Sequence, residues 1–163
     1  MAKKRHLFLV LLLGLAVPLF ILLLADRHGQ EDFPLDDAWI HMVYGRAVAQ
    51  KGYLAYKDGV ASRGCNSPLR AYLIGIIHLL LHRLNLIIRG TKILGIILYC
   101  GLVYLSFKIA CNLTGSLATG LWTALILSLS PPLAIASLSG MEITLGCFLF
   151  MAASYTFIKK NGG

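Results

Sequence analysis

The chain has 163 residues, of which 58% are hydrophobic and only 13% charged. So little charge on so much apolar sequence excludes an ordinary soluble domain and makes a lipid bilayer the solvent to reason with. The formal net charge of +8 does not imply nucleic acid. The basic residues are spread along a loop and at helix ends, as lipid phosphates and topology signals require, rather than massed on one soluble face.

In chain order, residues 1–6 hold Lys3, Lys4 and Arg5 and are expected to stay in the cytoplasm. Residues 7–25 are apolar throughout and come close to the ~20 residues that cross a bilayer core. Pro18 inside them is tolerated in a membrane helix. The run is longer than the ~7–15 apolar residues of a signal peptide, and "LLLADRHGQ" offers no good cleavage site, so it reads as an uncleaved anchor. Residues 26–92 form a first external loop. Within it, Asp36 and Asp37 open a helix in which Ile40, Val43, Ala47 and Val48 recur at helical spacing, between Pro34 and Gly52. "GYLAYKDGV" reads as a short extended piece turning at Asp58-Gly59.

Ser67 and Pro68 then suit the N-cap and first position of a helix over 68–84. Its clean apolar part, Ala71 to Leu81, is eleven residues long. That is too short for a comfortable span and predicts an interfacial or re-entrant helix. Residues 93–113, 117–135 and 143–158 are the remaining expected spans, the second of them ended or bent by Pro131-Pro132. Residues 136–142 make a second external loop, and 159–163, with Lys159 and Lys160, a cytoplasmic end. The predicted class is an all-α integral membrane protein of about four transmembrane helices, with amphipathic or re-entrant helices in its first external loop. If 68–84 does not cross, Glu142 falls on the same side as Asp36 and Asp37; if it crosses, Glu142 is on the opposite face. Lys159-Lys160 favour the first arrangement, while Arg83, Arg89 and Lys92 speak against it.

Cysteine arithmetic is uninformative. Cys100, Cys111 and Cys147 lie in apolar segments and Cys65 stands alone in the polar loop, with no metal-spaced cluster or disulfide framework. No phosphate-loop or dinucleotide glycine pattern is present.

The order of landmarks carries a resemblance. "DDAWIHMVYGRAVAQKGYLAYKDGVASRGCNSPLRAYLIGIIHLLL" resembles the first external loop of polytopic glycosyltransferases with the GT-C fold, of the protein mannosyltransferase-like and arabinofuranosyltransferase-like kinds. The matching places are Asp36 to Ile40, Tyr44 to Arg46, Gly52 to Gly64 and Ser67-Pro68-Leu69. "SPPLAIASLSGMEITL" resembles the second external loop of the group, where a Ser-Gly-Met-Glu stretch brings in another acid. Two separated motifs in the right order make the match fairly specific, and with the helices it covers nearly the whole chain. Arg70 departs from the pattern, because an aromatic commonly follows Ser-Pro-Leu. The group also continues through further helices, so the chain resembles an incomplete GT-C fold, the N-terminal third of a truncated or split enzyme whose partner would be the missing C-terminal part.

The resemblance implies transfer of a sugar from a polyprenyl-phosphate donor to a lipid-linked glycan, surface glycan or protein acceptor, on the external face of the plasma membrane if the source is prokaryotic. It implies Asp36 as general base, with Asp37 beside it or hydrogen-bonding substrate. Glu142 would orient substrate or an optional divalent ion, and Arg63 and Arg70 would contact the phosphate; no cofactor is otherwise required and no protein-bound metal is expected. Each residue also has a plainer role. Asp36 or Asp37 can cap a helix, a role worth ~0.5–2 kcal/mol. Ser139 and Glu142 fit a capping box, and Arg63 and Arg70 can lie solvated or snorkelling. His41 and His78 read as structural, and Trp39 and Tyr44 as interfacial anchors. On those plainer readings the chain is a small non-enzymatic polytopic membrane protein or an inactive gene remnant.

Overall fold

The computed structural model describes residues 2–28, 32–57, 60–62 and 64–161. Among these, the regular structure is helical: α1 (Ala2–Arg27), α2 (Asp37–Lys51), α3 (Pro68–Leu80), α4 (Leu84–Thr114), α5 (Leu117–Ser128), α6 (Pro131–Leu138) and α7 (Ile143–Asn161). A single isolated bridge joins Lys57 to Val60. It closes the chain on either side of the expected Asp58-Gly59 turn, whose own two residues lie outside the described residues.

Among the described residues two helices are long and apolar enough to cross a membrane, Phe8–Arg27 and α4, and α5 with α6 makes a third if that bent pair counts as one span. About four spans were expected. The helix expected as the fourth, α7, packs along α4 and ends on Lys159 and Lys160, but it is not among those long and apolar enough. Large apolar side chains on the outer faces, among them Phe8, Phe20, Trp122, Phe150 and Phe157, are exposed, as a surface wetted by lipid tails permits.

The sequence placed the start of the second span at residue 93, yet α4 begins at Leu84 and runs for 31 residues. Arg89 and Lys92 are good helix formers and do not break it. Lys92 is buried, and its Nζ donates to the Asp32 carbonyl at 3.0 Å. At 1.5 Å per residue α4 is about 46 Å long, against ~30 Å of hydrocarbon, so part of it stands beyond the apolar layer. The Pro131-Pro132 expectation is met by a break at Leu129-Ser130 and a 60° bend between α5 and α6. There the Tyr99 hydroxyl of α4 donates to the Leu127 carbonyl at 2.7 Å, and the Ser130 amide reaches the same carbonyl at 3.1 Å. A carbonyl at the break is thus satisfied inside an apolar bundle.

Two clusters form the core. One joins Val10 of α1 to Tyr99, Leu102, Val103 and Phe107 of α4 and Ala124 of α5. The other gathers Phe33, Ala38 and Met42 with Ile74 of α3 and Ile87 and Ile88 of α4. The second cluster holds α2 and α3 against one end of the bundle. Where these two helices cross, a β-carbon on Gly45 would lie 2.5 Å from Ile74 Cγ2, and one on Gly75 would lie 2.9 Å from Val48 Cγ1. Only small residues allow so close an approach. Arg70, near the start of α3, touches Gly140, while Ile77 and Leu81, near its end, abut Gly90 of α4. Both ends of α3 therefore meet the same end of the bundle, and its 13 residues reach only about 20 Å.

Candidate active-site cleft

The loop between α6 and α7 is shaped by Gly140, whose φ of +78° suits glycine. A β-carbon there would also lie 2.7 Å from the Phe33 ring and 3.0 Å from Ala38 Cβ. Phe33 in turn meets Trp39 edge to face at 5.6 Å between ring centroids. Glycine thus lets the loop settle directly on the start of α2.

Glu142 follows that turn. Its carbonyl accepts the Gly146 amide at 2.8 Å, which places it just before the first residue of α7. The capping-box arrangement is not what forms. Ser139 Oγ accepts from the Met141 amide at 3.2 Å and donates to the Ala136 carbonyl, and the Glu142 carboxylate turns to α2. There His41 Nε2 donates to Glu142 Oε2 at 2.7 Å, across 101 residues of sequence. The imidazole is buried while about a third of the Glu142 side chain is exposed, so the acid is anchored from below and open above. His41 Nδ1 is buried and without a hydrogen-bond partner.

Arg70 comes up from α3 beneath the same loop. It is 1% exposed, and its Nε donates to the Gly140 carbonyl at 3.3 Å. Burial pulls the guanidinium pKa down to about 10, partly offset by the Glu142 carboxylate, and the group stays charged at neutral pH. The structure corrects the solvated or snorkelling reading of Arg70. It is a buried cation that fixes the second loop and faces its acid.

A third strand of chain closes the cleft. Tyr44, buried on α2, hydrogen-bonds Ser62 through its hydroxyl at 2.9 Å, and Ser62 Oγ accepts the Gly64 amide at 3.2 Å. Tyr44 also packs against Tyr56 with ring centroids 5.8 Å apart. These contacts draw residues 64–66 over α2. The resulting cleft of about 180 Å³ has Asp37, His41 and Tyr44 on one wall, Cys65 and Asn66 on another, and Met141 and Glu142 on the third.

The acidic pair separates here. Asp37 lines the cleft and Asp36 is not among the lining residues. Asp36 occupies the N-cap position of α2 but makes no side-chain capping bond, and both carboxylates are exposed. Helical geometry accounts for the division. Asp37, His41 and Tyr44 are four and seven residues apart and share a face, whereas Asp36 is turned about 100° away. Arg63 lies outside the described residues. His41 is the site residue that sequence reasoning undervalued; the available signal was its i, i+4 spacing from Asp37. No three His, Cys, Asp or Glu side chains among the described residues are grouped so as to hold a metal ion.

In comparisons with known proteins, no family model matches the chain, and neither a curated protein nor a solved structure matches it.

Proposed function

We propose that the chain is a module of a multi-pass membrane glycosyltransferase, with the cleft between α2 and the α6–α7 loop as its active site. The donor is a polyprenyl-phosphate sugar and the acceptor a hydroxyl-bearing glycan or protein on the external face. One observation carries the reading: two acid-bearing segments a hundred residues apart, each resembling a loop of that group, meet in one open cleft through His41 and Glu142.

The reaction needs little covalent help. The acceptor oxygen bonds to the anomeric carbon as the bond from that carbon to the phosphate oxygen breaks. The lipid phosphate leaves with the electron pair, and a base takes the hydroxyl proton. Asp37, exposed at the mouth of the cleft, is placed to be that base, a contribution of ~10²–10⁴-fold in rate. Glu142, held by His41, orients sugar or acceptor hydroxyls. Arg70 is too buried to meet a departing phosphate and serves by positioning the loop that carries Glu142. Asp36 stands next to the base in sequence but outside the cleft, at the N-cap position of α2.

The test uses native membranes containing the chain, supplied with a polyprenyl-phosphate sugar bearing a photoreactive tail. The donor should crosslink to the chain and sugar should pass to acceptor. Asp37→Asn should preserve crosslinking and abolish transfer. Absence of crosslinking to the unaltered chain, or full transfer by Asp37→Asn, would overturn the reading.

A further inference from the structure

A second, quite different surface lies on the far side of α2. Arg46 is nine residues beyond Asp37, which is two and a half turns and half a revolution of an α-helix. Arg46 and Gln50 form a wall shared by two clefts. One, of about 210 Å³, opens toward Tyr56 and Lys57. The other, of about 500 Å³, runs between α2, the end of α3 and the start of α4, toward His78, His82 and Leu79. Among the described residues no carboxylate lines either cleft. Arg46, Lys51 and Lys57, which looked scattered in sequence, are brought together here by the fold.

Two further observations bear on what fits. The Nε2 atom of His78 is buried and has no hydrogen-bond partner. Burial, and then the nearby Arg46 cation, hold its imidazole below the usual histidine range, so His78 sits in positive surroundings that no carboxylate among the described lining residues answers. Beside the cleft, Leu69, Tyr72, Ile76, Leu79 and Leu80 are all exposed on α3. By helical geometry they fall within an arc of about 100° and extend some ~16 Å along the axis. Leu79 belongs to this stripe and to the cleft lining alike.

An anion without a tail would leave the stripe uncovered, and a neutral tail would leave the cations unanswered. A molecule carrying a phosphate and an acyl chain matches both at once. We infer that the notch between α2 and α3 is a binding site for an anionic phospholipid of the surrounding bilayer, its phosphate on Arg46 and its tail along the exposed stripe of α3. Lys57 adds to the attractive field from the neighbouring cleft. A cleft of this size is within the usual ~300–1,000 Å³ range for a small-molecule site, enough for the phosphate and glycerol portion. The site is separate from the Asp37 cleft and does not depend on the chemistry proposed there.

The full chain, purified in a mild detergent, can be followed by native mass spectrometry as phosphatidylglycerol, phosphatidylcholine or inorganic phosphate is added. Phosphatidylglycerol should be retained about tenfold more tightly than phosphatidylcholine, and Arg46→Gln should reduce that affinity about tenfold. Lys57→Gln, a change in a loop, should reduce it about threefold, and Lys159→Gln should leave it unaltered. The Lys57→Gln result and the lipid preference decide the matter should Arg46→Gln fail to fold. Equal retention of phosphatidylcholine, or no loss in either basic variant, overturns the site. Displacement of the lipid by inorganic phosphate at matching concentration overturns its assignment to a lipid.

Discussion

Asp36 and Asp37 are neighbours with the same chemistry, and the first turn of α2 gives them different prospects. On the proposed mechanism, Asp37→Asn lowers sugar transfer by ~10²–10⁴-fold with the fold retained. Asp36→Asn, outside the cleft, should leave most of the turnover. Measuring kcat and KM for the two variants in membranes checks this, and equal losses of kcat would contradict the assignment. His41 acts through Glu142, so His41→Gln, which keeps a donor, should preserve most turnover, whereas His41→Phe should lose about tenfold. The sequence made the acids legible because carboxylates are scarce in an apolar chain. It left His41 undervalued, because its partner arrives from a loop far along the chain and no local pattern announces it. It cast Arg70 as a phosphate contact, where the fold buries it beneath that same loop. Arg70 in particular breaks the expected motif at a position that the second loop covers. With that loop in place, Arg70→Met removes a buried cation from beside Glu142 and the Gly140 carbonyl. It should destabilise the protein by roughly 1–3 kcal/mol, the usual result of leaving a buried carbonyl without its donor, seen as a fall in unfolding temperature in detergent.

Elements are positioned by close approach more than by polar contacts. The crossing of α2 on α3 depends on Gly45 and Gly75, so Gly75→Ala forces atoms apart at the centre of that contact. A loss of ~1–3 kcal/mol is expected from overpacking, with little change in helix content by circular dichroism. Gly140→Ala meets two obstacles, the left-handed backbone and the Phe33 ring. Here turnover should fall along with stability, since the loop carries Glu142. Helix existence was readable from apolar periodicity and from the Pro and Gly boundaries, which is why α2, α3 and the α5–α6 break lie close to expectation. The start of α4 was not readable. Arg89 and Lys92 resemble loop residues by charge, and only the fold shows Lys92 buried against the Asp32 carbonyl.

For the molecule as a whole, the decisive question is which parts share a side of the membrane. Since both ends of α3 meet one end of the bundle, the expected topology keeps Cys65, Arg89 and Glu142 together and puts Lys160 across the bilayer. In a background without the native cysteines, single cysteines at Cys65, Arg89→Cys, Glu142→Cys and Lys160→Cys can be exposed to an impermeant thiol reagent on intact cells. Labelling of the first three and protection of the last is the expected outcome. Labelling at 160 with protection at 89 and 142 would show that the chain traverses the membrane at 68–84.

The phenol of Tyr99 has an influence that reaches well past its own surroundings. It binds the carbonyl at the pivot between α5 and α6, and α6 is an eight-residue lever, about 12 Å long. Swinging that lever by ~10° about the pivot would carry its far end roughly 2 Å, and the far end is where the turn to Glu142 begins. Errors of ~1 Å in a catalytic arrangement can cost about a hundredfold in rate. Tyr99→Phe, a change of one oxygen buried far from any substrate, is thus expected to detune the acid at the opposite end of the lever. The angle of a helix break in the apolar layer and the reach of a carboxylate above it become one mechanical variable.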